Sequence, residues 1–300
     1  MKTPGTKLRH AVAAAVRSGR TMPFLGVYDV FSASLAARHS DALFMSGFGF
    51  AASHYGLPDI GFISWTDMLD FVGRVRAVLP SHHLLVDIDD GYCDTEVACH
   101  VASRLERIGA SGVVLEDQRR PRRCGHFDGK QIMELDEFLE KLNRVLETRG
   151  DLFVVARTDA TDPAEAARRV RAFADAGADA VLIDGVRDLG VLRDLADGIE
   201  PPLVFNQIAG GKSPRCTLTE LAAAGVTLAI YSTPCLFAAQ RAIGSALEAL
   251  IAADGRLPAP GAGEVGVADC TAVLQANAAR RDVRDIVPSG IDSIVISASA

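Results

Sequence analysis

Eight short apolar runs alternate with longer amphipathic stretches, and that alternation predicts an α/β chain folded as a (β/α)8 barrel of parallel strands. Two further features point to the same class. The apolar runs are near-continuous in Val, Ile and Leu, as strands covered by helices are, and lack the polar alternation of half-exposed antiparallel strands. Nearly every run also closes on polar residues, as barrel strands do where they reach the functional face. A doubly wound open sheet gives a similar alternation, but no GxGxxG follows the first strand.

Taken in order, an N-terminal helix ends at Gly19. The strand runs are MPFLGVYD from Met22, ALFMSG from Ala42, HLLVDID from His83, GVVLED from Gly112, LFVVARTD from Leu152, DAVLID from Asp179, PLVFNQ from Pro202 and LAIYS from Leu228. The stretch after Asp162 typifies the helices: Thr161 or Asp162 caps it, Pro163 sits in its first turn, and it stops at Gly177. Residues 1–253 are read as the barrel with its N-terminal helix. In 254–300, DGRLPAPGAGEVG reads as a linker by its Gly and Pro content. The tail from Val267 is expected to hold one helix and an extended end, packed on the barrel or on a neighbouring subunit.

Of 300 residues, 49% are hydrophobic and 23% charged, enough apolar material for one large core. A formal charge of -7 argues against nucleic acid or an acidic membrane as partner, while leaving room for a local basic pocket that takes a small anion. No apolar run reads as a bilayer span. Six cysteines without CxxC or zinc-finger spacing, behind an N-terminus with no secretory signature, are expected to be free thiols in a cytoplasmic protein.

The strand ends carry the chemistry: Tyr28-Asp29, Ser46-Gly47, Asp87 and Asp89, Glu116-Asp117, Arg157 and Asp159, Asp184, Asn206-Gln207, and Tyr231-Ser232. Asp87 and Asp89, two apart on a strand, are expected to face one side, and paired carboxylates repel unless a cation intervenes. With Glu116 nearby they offer hard oxygens without His or Cys, a donor set for Mg2+ or Mn2+. A lone acid at such a place is more often a helix cap; three facing the single strand-end base, Arg157, favour a metal. The Arg157 fork can grip a substrate carboxylate or phosphonate, or pair with Asp159 or Glu116. After Glu116 comes the long basic loop DQRRPRRCGHFDGKQI, with the length of a mobile lid. Its Cys124, among Arg122, Arg123 and His126, is either a thiol with a lowered pKa or an ordinary exposed cysteine.

The segments MSGFGFAASHYGLPDIGF, LLVDIDDGY, VLEDQ, RRCGH, VVARTDA and FNQIAGGKSP together resemble the isocitrate lyase/phosphoenolpyruvate mutase superfamily over roughly residues 8–250, most nearly its 2-methylisocitrate lyase and 2,3-dimethylmalate lyase branch. The resemblance implies a Mg2+-dependent carbon–carbon lyase acting on a 2-hydroxy di- or tricarboxylate. It makes Asp87, Asp89 and Glu116 the metal set, directly or through water. It makes Ser46, Gly47, Phe48, Arg157, Asp184 and Asn206 the substrate contacts, and Cys124, Arg157, Asp59 and His126 the catalytic set, with Cys124 as general acid. It also implies a homodimer or homotetramer built by swapping a C-terminal helix. A carboxyphosphonoenolpyruvate mutase-like enzyme, an oxaloacetate-type hydrolase and a silent carboxylate-binding barrel are the competing readings. Ile88 between the aspartates, Asp90 after them, Phe44 in place of a tyrosine, and Asp184 in place of a glutamate or histidine depart from the pattern and point to a specialised substrate of secondary metabolism.

Overall fold

In the computed structural model, which describes residues 2–257 and 265–280, the apolar runs become β1 (Met22–Val27), β2 (Ala42–Met45), β3 (His83–Asp87), β4 (Gly112–Glu116), β5 (Phe153–Thr158), β6 (Ala180–Ile183), β7 (Leu203–Gln207) and β8 (Val226–Tyr231). Each pairs in parallel with the next, and β1 closes on β8 with Met22 opposite Leu228. The helices are α1 (Pro4–Arg17), α2 (Val30–Ala36), α3 (Gly47–Phe50, continuing as a π-helical turn over Ala51–Tyr55), α4 (Trp65–Val78), α5 (Thr95–Arg107), α6 (Leu135–Thr148), α7 (Pro163–Asp175), α8 (Leu189–Ala196), α9 (Leu218–Ala223), α10 (Pro234–Ala252) and α11 (Val267–Arg280). The barrel read from the sequence is therefore the fold. Local signals set the helix ends: Asp162 accepts from Glu165 N at 2.8 Å at the start of α7, and Pro163 occupies its first turn.

Successive strand residues point to opposite faces, so each strand feeds two cores. Val113, Leu115, Val154 and Ala156 join the layer between strands and helices. Phe44, Leu85, Val114, Phe153, Val155, Leu182, Val204 and Ile230 fill the barrel interior. Leu8 and Val12 of α1 belong to this inner cluster. Arg9 ties the helix to Asp151 at 2.7 Å and Asp179 at 2.9 Å, just before β5 and β6. α1 thus stoppers the end at which the strands begin, and the opposite end is the mouth.

At the C-terminal side, α11 lies against α2 and α4, with Asn277 donating to Ser34 Oγ at 2.8 Å. The extended end expected after it, and residues 258–264 of the linker, lie outside the described residues. No residue of α10 is buried, and Ile243, Leu247 and Ile251 are 59, 56 and 78% exposed. By length and composition α10 is apolar enough to cross a membrane, which corrects the reading that no run reaches that limit. Its exposed apolar residues recur every four positions, while Arg241 and Glu248 also lie on it. That is a stripe for packing, where a span would be apolar all round.

Leu8→Ala, which opens a cavity in the stopper far from the mouth, is expected to cost ~2–5 kcal/mol of stability in denaturant unfolding. A loss under about 0.5 kcal/mol would show that α1 does not close the barrel.

Candidate active site

The two-residue period that builds the interior also builds the site. Inward apolar residues are followed two positions later by inward polar ones: Phe44 by Ser46, Leu85 by Asp87, Val114 by Glu116, Val155 by Arg157, Leu182 by Asp184, Val204 by Asn206 and Ile230 by Ser232. All seven polar residues are at least nine-tenths buried. Across them runs the lid, residues 117–133, which drops Arg122, Cys124 and His126 into the mouth. The cavity left is about 30 Å³, room for roughly two waters. The lid is shut.

Two arginines organise the charge. Arg122 is 1% exposed; its Nε lies 3.1 Å from Glu116 Oε1 and its Nη2 3.2 Å from Asp89 Oδ1, while Nη1 pairs with Asp59. Arg157 places Nε 2.9 Å from Asp159 Oδ2, Nη2 2.7 Å from Asp184 Oδ2 and Nη1 3.1 Å from Glu116 Oε2. The ion pairing of Arg157 weighed against substrate binding is therefore present, with every nitrogen of its fork facing an acid.

Asp87 ends β3, but Asp89 lies beyond the strand at φ 53°, so the two carboxylates are brought together by a turn and not by strand geometry. Among the described residues, no three Asp, Glu, His or Cys side chains converge as a metal cage. The expected set of three acids is split because Arg122 holds Asp89 and Glu116. Among the described residues Asp87 has no ion pair, and its one hydrogen bond comes from Asp89 N at 3.3 Å. Its other oxygen looks at Gly47, where a Cβ would stand 3.1 Å away. Ile88 points into the layer behind the strands and leaves the cavity alone.

Six carboxylates (Asp59, Asp87, Asp89, Glu116, Asp159, Asp184) thus share three cations (Arg122, Arg157, Lys130). Burial pushes Asp87 up, Asp89 up to about 8 and Glu116 well above the carboxylate range. Burial works the same way on Asp159, but Arg157 and Lys130 overcome it and hold that acid down to about 2. Asp89 Oδ1 and Glu116 Oε2 each stand within ion-pair distance of a guanidinium yet accept no hydrogen bond among the described residues. A wall of buried hard oxygens with open lone pairs and no His or Cys has the donor chemistry that a hard divalent cation takes, and Asp87, free of an ion pair among the described residues, is the acid best placed to hold one.

On the other side of the cavity, Asn206 donates to Asp184 Oδ1 at 2.9 Å and accepts from Ser232 Oγ at 2.6 Å. His126 Nδ1 accepts from Lys212 N at 3.0 Å, which leaves the proton on Nε2, 3.6 Å from Asp184 Oδ1. Burial pushes the His126 pKa down, so the ring is neutral. Ser46 caps α3 through Gly49 N at 3.1 Å and holds the chain of Gly47 and Phe48 against the acidic wall. Cys124 reverses the expectation of a lowered pKa: burial pushes its thiol up to about 12. Arg122, two residues before it in sequence, turns away into the acids. The thiol keeps its proton.

Sequence reasoning read Arg122 as one of several loop cations and missed that it is the most buried of them. The signal was present, because a wall of three inward acids demands a counter-charge and the basic loop follows the third.

A parallel barrel whose mouth sets a protonated thiol and two guanidiniums against a carboxylate wall defines an enzyme of small organic anions. The chain belongs to the phosphoenolpyruvate phosphomutase family, whose model matches residues 14–251, and hence to the isocitrate lyase/phosphoenolpyruvate mutase superfamily. It is 30% identical over 226 residues to a 2,3-dimethylmalate lyase of Eubacterium barkeri, covering 73% of this chain and 77% of that one. It is 33% identical over 251 residues to a 2-methylisocitrate lyase of Salmonella typhimurium, covering 81% and 83%. A crystal structure of 2,3-dimethylmalate lyase superposes with a TM-score of 0.86 at 28% identity, covering 98% of this chain and 99% of that one. Oxaloacetate acetylhydrolase bound to 3,3-difluorooxalacetate superposes with 0.85 at 29%, covering 96% and 98%. With its lyase relatives, this chain is a carbon–carbon lyase of the superfamily.

Arg122→Met should leave Asp59, Asp89 and Glu116 buried without their shared cation and cost about 3–5 kcal/mol in denaturant unfolding near neutral pH. The loss should grow as pH rises through about 8, where Asp89 gives up its proton, and be smaller below it. An equal loss at all pH values would mean that Arg122 acts by packing alone.

Proposed function

We propose that this enzyme cleaves a 2-hydroxy di- or tricarboxylate of the 2-methylisocitrate or alkylmalate type into an α-keto acid and a second carboxylate. The observation that carries the reading is the placement of a protonated Cys124 in one closed cavity with Arg157 and Asp87. Asp87, with Asp89 and Glu116 beside it, would hold a Mg2+ or Mn2+ ion, which would supply Lewis-acid polarisation of the substrate oxygens.

This chain's own residues do the rest. The carboxylate next to the hydroxyl displaces Asp184 from Arg157 Nη2 and from the Asn206 amide and takes both bonds, while Ser46, Gly47 and Phe48 receive the far carboxylate. Asp59 anchors Arg122, and His126 fixes the lid to the opposite rim. A carboxylate of the acidic wall takes the hydroxyl proton as the carbonyl forms. The C–C electron pair moves to the carbon beside the departing carboxylate, and Cys124 Sγ–H gives that carbon its proton. With a thiol pKa of about 12, the thiolate left behind readily recaptures a proton when the lid opens. The shut lid matters because bulk water would otherwise quench the carbanion.

A second reading, hydrolytic cleavage of an oxaloacetate-like substrate, draws on the likeness of the fold to oxaloacetate acetylhydrolase. Incubation with Mg2+ and a panel of 2-alkylmalates, 2-methylisocitrate, oxaloacetate and phosphonates separates the two. Keto-acid release from an alkylmalate or methylisocitrate supports the lyase; oxalate and acetate from oxaloacetate support the hydrolase; a new phosphorus NMR signal would overturn both. The exposed stripe of α10 fits a second copy of this chain, giving a homodimer or homotetramer by helix exchange.

Cys124→Ser is expected to lower turnover by roughly a hundredfold or more with ligand binding nearly intact, and unchanged turnover would reject the thiol as acid. Asp87→Ala should remove activity and metal dependence together. In the metal-free protein, native Asp89 keeps its proton up to about 8 while the unfolded chain loses it near 3.8, so stability falls as pH rises between those values. Added Mg2+ binds the ionised wall, so the gain in unfolding temperature should be larger at about pH 8 than at about pH 5. The opposite order would place the ion elsewhere.

A further inference from the structure

What holds the lid shut is a question of polar contacts, because apolar packing contributes little there. Behind lid residues 125–130 lies a cavity of about 480 Å³, bordered on its far side by Ile183, Val186 and Arg187. Phe127, the large apolar side chain of that stretch, is 60% exposed. The lid backbone nevertheless comes so close to the site that a Cβ on Gly125 would stand 2.5 Å from Arg157 Nη2 and collide with Asp184.

Two lysines grip this stretch by its carbonyls. Lys212 Nζ reaches Phe127 O at 3.0 Å and Asp128 Oδ1 at 2.6 Å from the solvent side, where Asp128 is 88% exposed. Exposure weakens that tie. Lys130 works inside: its side chain is 3% exposed, and its ammonium donates to Gly125 O at 2.5 Å and to Asp159 Oδ1 at 2.7 Å. Asp159 is the acid that also accepts from Arg157 Nε at 2.9 Å and Nη2 at 3.1 Å.

We propose that Lys130 is the latch of the closed lid, a positioning residue that joins the carbonyl beside Cys124 to the acid that orients Arg157. Gly125 is the residue after the proton donor, so the ammonium fixes where the thiol stands relative to the substrate-gripping guanidinium. Without it, the closed lid buries the Gly125 carbonyl with no ammonium to meet it, and buried unpaired carbonyls are costly. Opening into water then becomes the better state. Asp159 keeps Arg157 in place in either state, so substrate capture survives while closure does not.

The test is alkylation of Cys124 by iodoacetamide in Lys130→Met, read by peptide mass spectrometry because other cysteines are more exposed, with the unfolding midpoint as a check of the fold. The Cys124 rate should rise on the order of tenfold or more over wild type, and Lys212→Met should raise it by a smaller factor. A folded Lys130→Met protein that labels at the wild-type rate overturns the proposal. If Lys130→Met does not fold, Lys130→Gln decides by the same criterion. With the lyase substrate, kcat should fall far more than KM changes, and equal effects on both would also count against a latch. That kinetic arm rests on the lyase reading, whereas the labelling arm needs no substrate, so the two fail separately.

Discussion

Glu116 faces a guanidinium with each carboxylate oxygen, Arg122 at Oε1 and Arg157 at Oε2, both at 3.1 Å. That shared acid links the two halves of the mouth. Arg122 comes from the lid and carries Asp59 and Asp89 with it; Arg157 comes from β5 and carries Asp159 and Asp184. In a region shut from water such charges interact strongly but pay heavily for lost hydration. They persist only as a network in which nearly every lone pair and N–H has a partner. Asp89 Oδ1 and Glu116 Oε2, which face a guanidinium but accept no hydrogen bond among the described residues, are the oxygens with lone pairs to spare.

The barrel makes this arrangement possible because its interior is already packed. Side chains such as Phe44, Phe153 and Leu182, with α1 as stopper, form a dry floor, and the next inward position on each strand stands on it. Asp87 and Glu116 are therefore held by strands that cannot shift singly, and Asp159 and Asp184 follow directly on strand ends. The lid has no such support, being held over a cavity by Lys130, Lys212 and the Arg122 cluster. Rigid wall and releasable cover are the division of labour that the proposed carbanion chemistry requires: the electrostatics stay fixed while access to water is switched.

Much of this was legible in the sequence. The strands, the mouth, and the inward placement of Ser46, Asp87, Glu116, Arg157, Asp184 and Asn206 follow from runs that end polar and from the period of two. What escaped reading lies in loops, where no period operates. Asp89 reaches the site through a left-handed backbone turn. Arg122 folds inward although its neighbours Arg119, Arg120 and Arg123 are exposed, and sequence alone does not say which of four arginines is chosen. Cys124 was read from the charge beside it, but burial outweighed that charge and raised its pKa. Lys130 and Lys212 gave no signal, because each acts on backbone carbonyls brought near only by the closed lid. The exposure of α10 was equally hidden, since a stripe of Ile and Leu reads the same against the chain's own barrel or another copy.

The most direct test is anomalous scattering from a crystal of the lid-closed protein grown with Mn2+ and oxalate. A single strong peak is expected at the mouth, within direct coordination distance of an Asp87 oxygen, with Arg157 on the oxalate. Oxalate bound with no metal peak at the mouth, or a mouth with Asp87 turned away from any ion, would contradict the reading of this wall as a cation site.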